Sequence, residues 1–190
     1  MNTKRIFIIH RWSGGPRDDW RPWVRAELEK KGYEVVVPQM LDTNTPTIEN
    51  WVGYLKEIVG TPDVNTFFIG HSIGCQAIMR YLATLSENVH VGGVVFVAGW
   101  FNLEGLKEEG EEIERIAKPW IETPIDFDRI RIVCPHVDVF ISDNEPFGCV
   151  EENKKIFEEK LNAKVSVLKE KGHFTADDGV VELPEVVELF

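Results

Sequence analysis

The sequence is poor in the features that mark several protein classes. It has three cysteines, Cys75, Cys134 and Cys149, an odd and scattered set with no C-x-x-C pair. That excludes a disulfide framework and gives no zinc-ligand spacing. Reduced thiols fit a cytoplasmic location. Long apolar runs are also lacking. The run Ile6 to Ile9 near the start is too short for a signal peptide or a membrane span, and no later stretch approaches bilayer length. Positive charge is the minority sign: 21 Lys and Arg stand against 32 Asp and Glu, a net charge of -11. Nucleic acid and anionic membrane surfaces would repel such a chain. Solubility alone accounts for the acidity. No repeat, linker or low-complexity tract is present.

What is present is enough for one domain of 190 residues with a core, since 43% of the residues are apolar. Short apolar runs alternate with amphipathic stretches. RIFIIH (5–10), YEVVVP (33–38), TFFIG (66–70), VGGVVFVAG (91–99), HVDVFIS (136–142) and KVSVL (164–168) read as six strands. Helices are expected over 19–31, after a Thr47 cap, over 74–86, at about 150–161 and at about 183–190. Strand–helix alternation predicts an α/β fold: a roughly six-stranded parallel sheet with helices on both faces and right-handed crossovers. Residues 100–130 interrupt the rhythm, either as a small cap beside a site or as a surface helix with a long connection.

The strongest local signal is IGHSIGC (69–75), in which Gly70-His71-Ser72-Ile73-Gly74 fits G-x-S-x-G. The pattern alone is weak. Its context is correct, with TFFI before it and QAIMRYLATL after it. Between a strand and a helix, the two glycines permit a sharp turn that lifts the serine hydroxyl to a helix N-terminus, where developing negative charge is favoured. A nucleophilic serine needs a base. Of the five histidines, His10 ends the first strand, His71 lies inside the elbow, and His90 and His136 sit at strand starts. His173, in KGHFT after the last strand, stands where the chain order serine, acid, histidine places the base. The acid should follow the fifth strand, in ISDNEPFG (141–148), which offers Asp143 and Glu145.

The HSIGC elbow, the DDWRPWVRAEL stretch, the SDNEPF loop and GHFT together resemble one family of small α/β-hydrolases. It is the YdeN-like group that includes the retinoblastoma-binding serine hydrolases. The resemblance runs over nearly the whole chain. It implies a single α/β-hydrolase domain over 1–190 with a Ser–His–acid triad, no metal and no cofactor, and it matches Ser72 and His173 to the family's nucleophile and base. Relatives carry an Asp-Asp pair in the acid loop. Here Asn144-Glu145 stands there, so register assigns Glu145, with Asp143 the competing acid. Relatives often read His-Gly after the first strand, where this chain has His10-Arg11-Trp12. The backbone N–H groups of Trp12 and Ile73 are the expected oxyanion donors.

The function expected is carboxylesterase-like hydrolysis of small esters or amides through an acyl-enzyme. Thioester hydrolysis and acyl transfer are variants of the same chemistry. A catalytically weak or inactive binding protein on the same scaffold is the alternative. Trp12, Trp20, Trp100, Phe101 and Phe147 are candidates for an acyl pocket or for the core, with Trp20 favoured as core. No protein partner is named by the sequence.

Overall fold

The computed structural model describes residues 3–190. Strands β1 (Arg5–Ile9), β2 (Glu34–Val36), β3 (Thr66–His71), β4 (Gly93–Val97), β5 (Val137–Ser142) and β6 (Lys164–Leu168) form one sheet in the order β2-β1-β3-β4-β5-β6. All five pairings are parallel. Parallel neighbours require crossovers, which the helices supply.

The inner strands read as continuous apolar runs because both their faces are covered. Successive side chains alternate between two cores. Phe7, Ile9, Phe68, Phe96, Val139 and Ile141 pack into one core, beneath α2 (Ile48–Val59), α3 (Ile73–Leu82), α5 (Phe127–Val133) and α6 (Val150–Leu161). Ile6, Ile8, Ile69, Val95, Val97 and Phe140 face the other, covered by α1 (Arg21–Lys30) and α7 (Pro184–Val187). Trp20, fully buried, belongs to this second core. Burying a large apolar side chain in this way contributes about 1.5–3 kcal/mol.

Helix boundaries follow local chemistry. Thr47 caps α2 by accepting the Asn50 N–H. The first helix starts at Arg21 rather than at 19, because Asp19 has φ 53° and cannot continue a helix. The last is one short turn within the span expected. Residues 100–130 hold more order than expected: α4 (Glu111–Glu122), then the start of α5, capped by Asp126 on the Arg129 N–H.

Buried Arg80 in α3 joins that helix to α4. Its Nη2 donates to Trp120 O and Thr123 O, both at 2.8 Å, at the C-terminal end of α4. Its Nη1 donates to Gln76 Oε1 (2.9 Å), and Gln76 in turn donates to Trp100 O.

Candidate active site

Ser72 sits in the turn from β3 to α3 with φ 54° and ψ −120°. Such a conformation costs a non-glycine residue about 1–3 kcal/mol and persists only where its surroundings impose it. Here Ser72 N donates to Val97 O (2.9 Å), and Cys75 N closes the turn on Ser72 O (2.9 Å). The flanking glycines are required by close approach. A Cβ on Gly70 would stand 2.8 Å from the Cys75 N and Cα, and one on Gly74 would stand 2.4 Å from Ile9 O. Hence the G-x-S-x-G pattern: backbone occupies the space that side chains would need.

Ser72 and His173 line one cavity of about 420 Å³. Among the described residues no hydrogen bond joins the two. The Ser72 hydroxyl accepts instead from Trp100 Nε1 (3.4 Å). Catalytic hydrogen bonds are often long until substrate tightens them. The His173 Nδ1 is 2.7 Å from Glu145 Oε1, and the two side chains are 12% and 8% exposed. With a carboxylate at that distance Nδ1 carries the proton, which leaves Nε2 as the basic nitrogen. The ring stands edge-on to Phe147 on one side (5.1 Å between centroids) and packs against His71 on the other (5.6 Å). Asp143 is directed elsewhere: its Oδ1 accepts the Glu170 N–H (2.8 Å). Asn144 clasps the same two loops, accepting from Ser142 Oγ (2.6 Å) and Gly172 N (2.8 Å).

Trp12 and Ile73 both line the cavity. Among the described residues neither backbone N–H has an acceptor, so both remain available for an incoming oxygen. The loop after β1 is held by His10, which donates from Nδ1 to Arg11 O (2.8 Å) and accepts the Met40 N–H at Nε2 (3.0 Å). Burial pushes the His10 pKa down to about 4, so it stays neutral in that role. Arg11, which stands where glycine is frequent, turns its Nε onto Asp19 Oδ2 (2.9 Å) and lines the cavity.

Of the five aromatic candidates, Trp12, Trp100 and Phe147 line the cavity. Phe101 packs in the core against Phe127 and Phe157. Leu103, Leu106 and Ile113 complete an apolar wall from the segment that precedes and begins α4. Two further partners of the site, Asp19 and Arg21, lie in the DDWRPWVRAEL stretch, but the sequence attaches no chemical role to them. Their side chains are buried behind His71, and only the folded chain brings their loops together.

No cluster of His, Cys, Asp and Glu among the described residues could hold a metal ion, and no helix among them is long and apolar enough to cross a membrane. The three thiols are unpaired. Burial raises the pKa of Cys134 to about 12 and that of Cys75 further still.

A parallel sheet that carries a strained serine between its third strand and the next helix, with a histidine from the loop after the last strand beside it, defines an α/β-hydrolase. The serine hydrolase family matches this chain over residues 6–190. The chain belongs to that family. It is 26% identical to YdeN of Bacillus subtilis over 189 residues, covering 98% of this chain and 94% of that one. It is 30% identical to the serine hydrolase RBBP9 of Rattus norvegicus over 156 residues, 82% of this chain and 77% of that one. The crystal structure of the B. subtilis protein superposes with a TM-score of 0.86 over 98% of this chain and 96% of that one. A carboxylesterase structure from Nitrososphaera gargenis, 13% identical, shares the fold with a TM-score of 0.72, covering 99% and 88% of the two chains.

Proposed function

We propose that the protein is a carboxylesterase-type hydrolase of small to medium esters with an apolar acyl or alcohol group. Ser72 is the nucleophile, His173 the base and Glu145 the acid, and the N–H groups of Trp12 and Ile73 form the oxyanion hole. The observation that carries this reading is the 2.7 Å contact of Glu145 with His173 Nδ1, beside a strained Ser72 on the same cavity.

The steps follow from the geometry. His173 Nε2 takes the hydroxyl proton as Ser72 Oγ bonds to the ester carbonyl carbon. Glu145 stabilises the imidazolium that forms. The carbonyl oxygen becomes an oxyanion and accepts the Trp12 and Ile73 N–H groups, donors already in place in a partly dry site. Collapse expels the alcohol, which leaves with the proton from His173. Water, deprotonated by His173 in turn, releases the acid and restores Ser72. Leu103, Leu106 and Ile113 make the segment before and into α4 a small cap whose apolar wall suits hydrocarbon. Amides meet the same machinery with a poorer leaving group. Reduced thiols and acidic charge fit action in the cytoplasm.

The test is labelling with a fluorophosphonate probe together with turnover of an ester and amide panel. Wild type labels and turns over. Ser72→Ala keeps its fold, loses the label, and hydrolyses at least about a thousandfold more slowly. A wild-type chain that neither labels nor turns over any ester is a binding protein on this scaffold.

A further inference from the structure

Behind the site lies a buried polar network that none of the steps above uses. His71, the last residue of β3, is fully buried, as is Arg21 at the start of α1. Arg21 Nη1 lies 3.0 Å from His71 Nδ1, and His71 Nε2 lies 2.8 Å from the backbone carbonyl of His173. A guanidinium has no acceptor atom, so in the first contact Arg21 donates and His71 Nδ1 accepts. The imidazole proton is therefore on Nε2 and is donated to the His173 carbonyl. The chemistry of arginine fixes this tautomer.

Arg21 is itself held on every side. Its Nε donates to Gly15 O (2.9 Å) and its Nη2 to Asp19 Oδ2 (3.0 Å), with Asp18 further out at 3.9 Å. Asp19 also takes Arg11 Nε on Oδ2 and the Ala176 N–H on Oδ1, both at 2.9 Å. Burial would raise the Asp19 pKa. The Arg11 and Ala176 hydrogen bonds and the charge of Arg21 outweigh it and hold the carboxyl below its ordinary value. Burial, with the nearby charges of His173 and Arg21, keeps His71 far below the ordinary histidine value. The network thus holds two guanidinium groups, Arg11 and Arg21, on the one carboxylate of Asp19, beside one neutral imidazole. It ties the oxyanion loop, the elbow and the His173 loop together from behind. Phe174, next to the base, is fully buried at φ 57°, a conformation that persists only where its surroundings impose it.

We propose that Arg21 and His71 are positioning residues for the base. Arg21 locks the His71 tautomer whose Nε2–H grips the His173 carbonyl, and that grip sets the stance of the His173 ring relative to Ser72. The inference rests on the reading of His173 as the base.

Two substitutions of His71 separate positioning from packing. Glutamine can carry a donor to the place of Nε2, whereas leucine fills the volume without one. His71→Leu is expected to lower kcat by about a hundredfold, the cost of misplacing a reacting group by roughly 1 Å, with KM little changed. His71→Gln should recover about tenfold of that loss, the worth of one hydrogen bond. Equal kcat in the two variants overturns the proposal. Arg21→Met provides a second arm, read by imidazole 15N NMR without turnover. In wild type His71 shows the Nε2–H tautomer alone, and the His173 Nδ1–H signal is sharp. In Arg21→Met the His71 tautomers mix and the His173 signal broadens. An unchanged spectrum refutes the proposal even if His71→Leu fails to fold. Fluorophosphonate labelling of wild type checks the triad reading separately, so failure of that reading and failure of this one give different results.

Discussion

Replacing Glu145 by glutamine removes one charge and almost no volume. In the structure the carboxylate is 2.7 Å from His173 Nδ1, and both groups are nearly sheltered from water. During proton transfer the imidazole becomes a cation, with its charge centre about 4 Å from that of the carboxylate. At an effective dielectric near 20 their attraction is about 4 kcal/mol. Glutamine forfeits it in the transition state while leaving substrate binding alone. Every 1.36 kcal/mol is tenfold in rate, so kcat should fall about a thousandfold with KM nearly constant. If the amide turns its NH2 toward Nδ1, the proton moves to Nε2 and the loss is larger still, because the nitrogen facing the serine is then no base. Asp143→Asn is the control. Its carboxylate is exposed and bonds a backbone N–H that an amide oxygen can also accept, so the change in kcat should stay within about twofold. Steady-state hydrolysis of a p-nitrophenyl ester, with melting temperatures to confirm folding, measures both. A Glu145→Gln enzyme within tenfold of wild type, or an Asp143→Asn enzyme impaired as much, would refute the assignment.

Gly74→Ala should destabilise the fold by about 1–3 kcal/mol and depress kcat, because the new Cβ at 2.4 Å from Ile9 O must push the loop that carries Trp12. Gly53→Ala, in α2 where a Cβ meets nothing within 4 Å, should be neutral or slightly stabilising in the same denaturant titration. The buried neutral His10 makes stability depend on pH. Its folded value of about 4 lies below the 6.5 of the unfolded chain, so between the two only the unfolded state takes the proton. Its contribution is complete above about pH 6.5 and is lost as pH falls towards 4, amounting to about 3 kcal/mol. Urea unfolding of wild type and His10→Gln at about pH 7 and pH 4 should show the variant with the flatter dependence. Equal slopes would contradict this.

The sheet was legible because each inner strand is buried on both faces and so appears as a short apolar run with a turn signal at its end. The elbow was legible because Gly70 and Gly74 answer to backbone atoms that any such turn brings close. The acid loop was legible only down to two carboxylates. Which of them meets His173 depends on how Asn144 pins that loop to Gly172, a contact between segments 28 residues apart. Arg21 and His71 each stand in a stretch that carries the family resemblance, but nothing in periodicity or spacing joins the two across 50 residues. The seven-residue α5 is not legible for a different reason, being too short for helical periodicity to stand out between a proline-containing stretch and the next strand.

The Arg80 side chain bears on how freely the segment 100–123 can be exchanged. Its guanidinium is buried without a carboxylate and is held by backbone carbonyls of Trp120 and Thr123 and by Gln76. The segment 100–123 therefore does not behave as a detachable module. A chimera that grafts a foreign loop across residues 100–123 must present carbonyl oxygens at the same two places. One that does not strands a buried cation, at a cost of about 3–5 kcal/mol. Changes to the cavity lining are better confined to Leu103, Leu106 and Ile113, upstream of that anchor, where side chains can change while the acceptors stay.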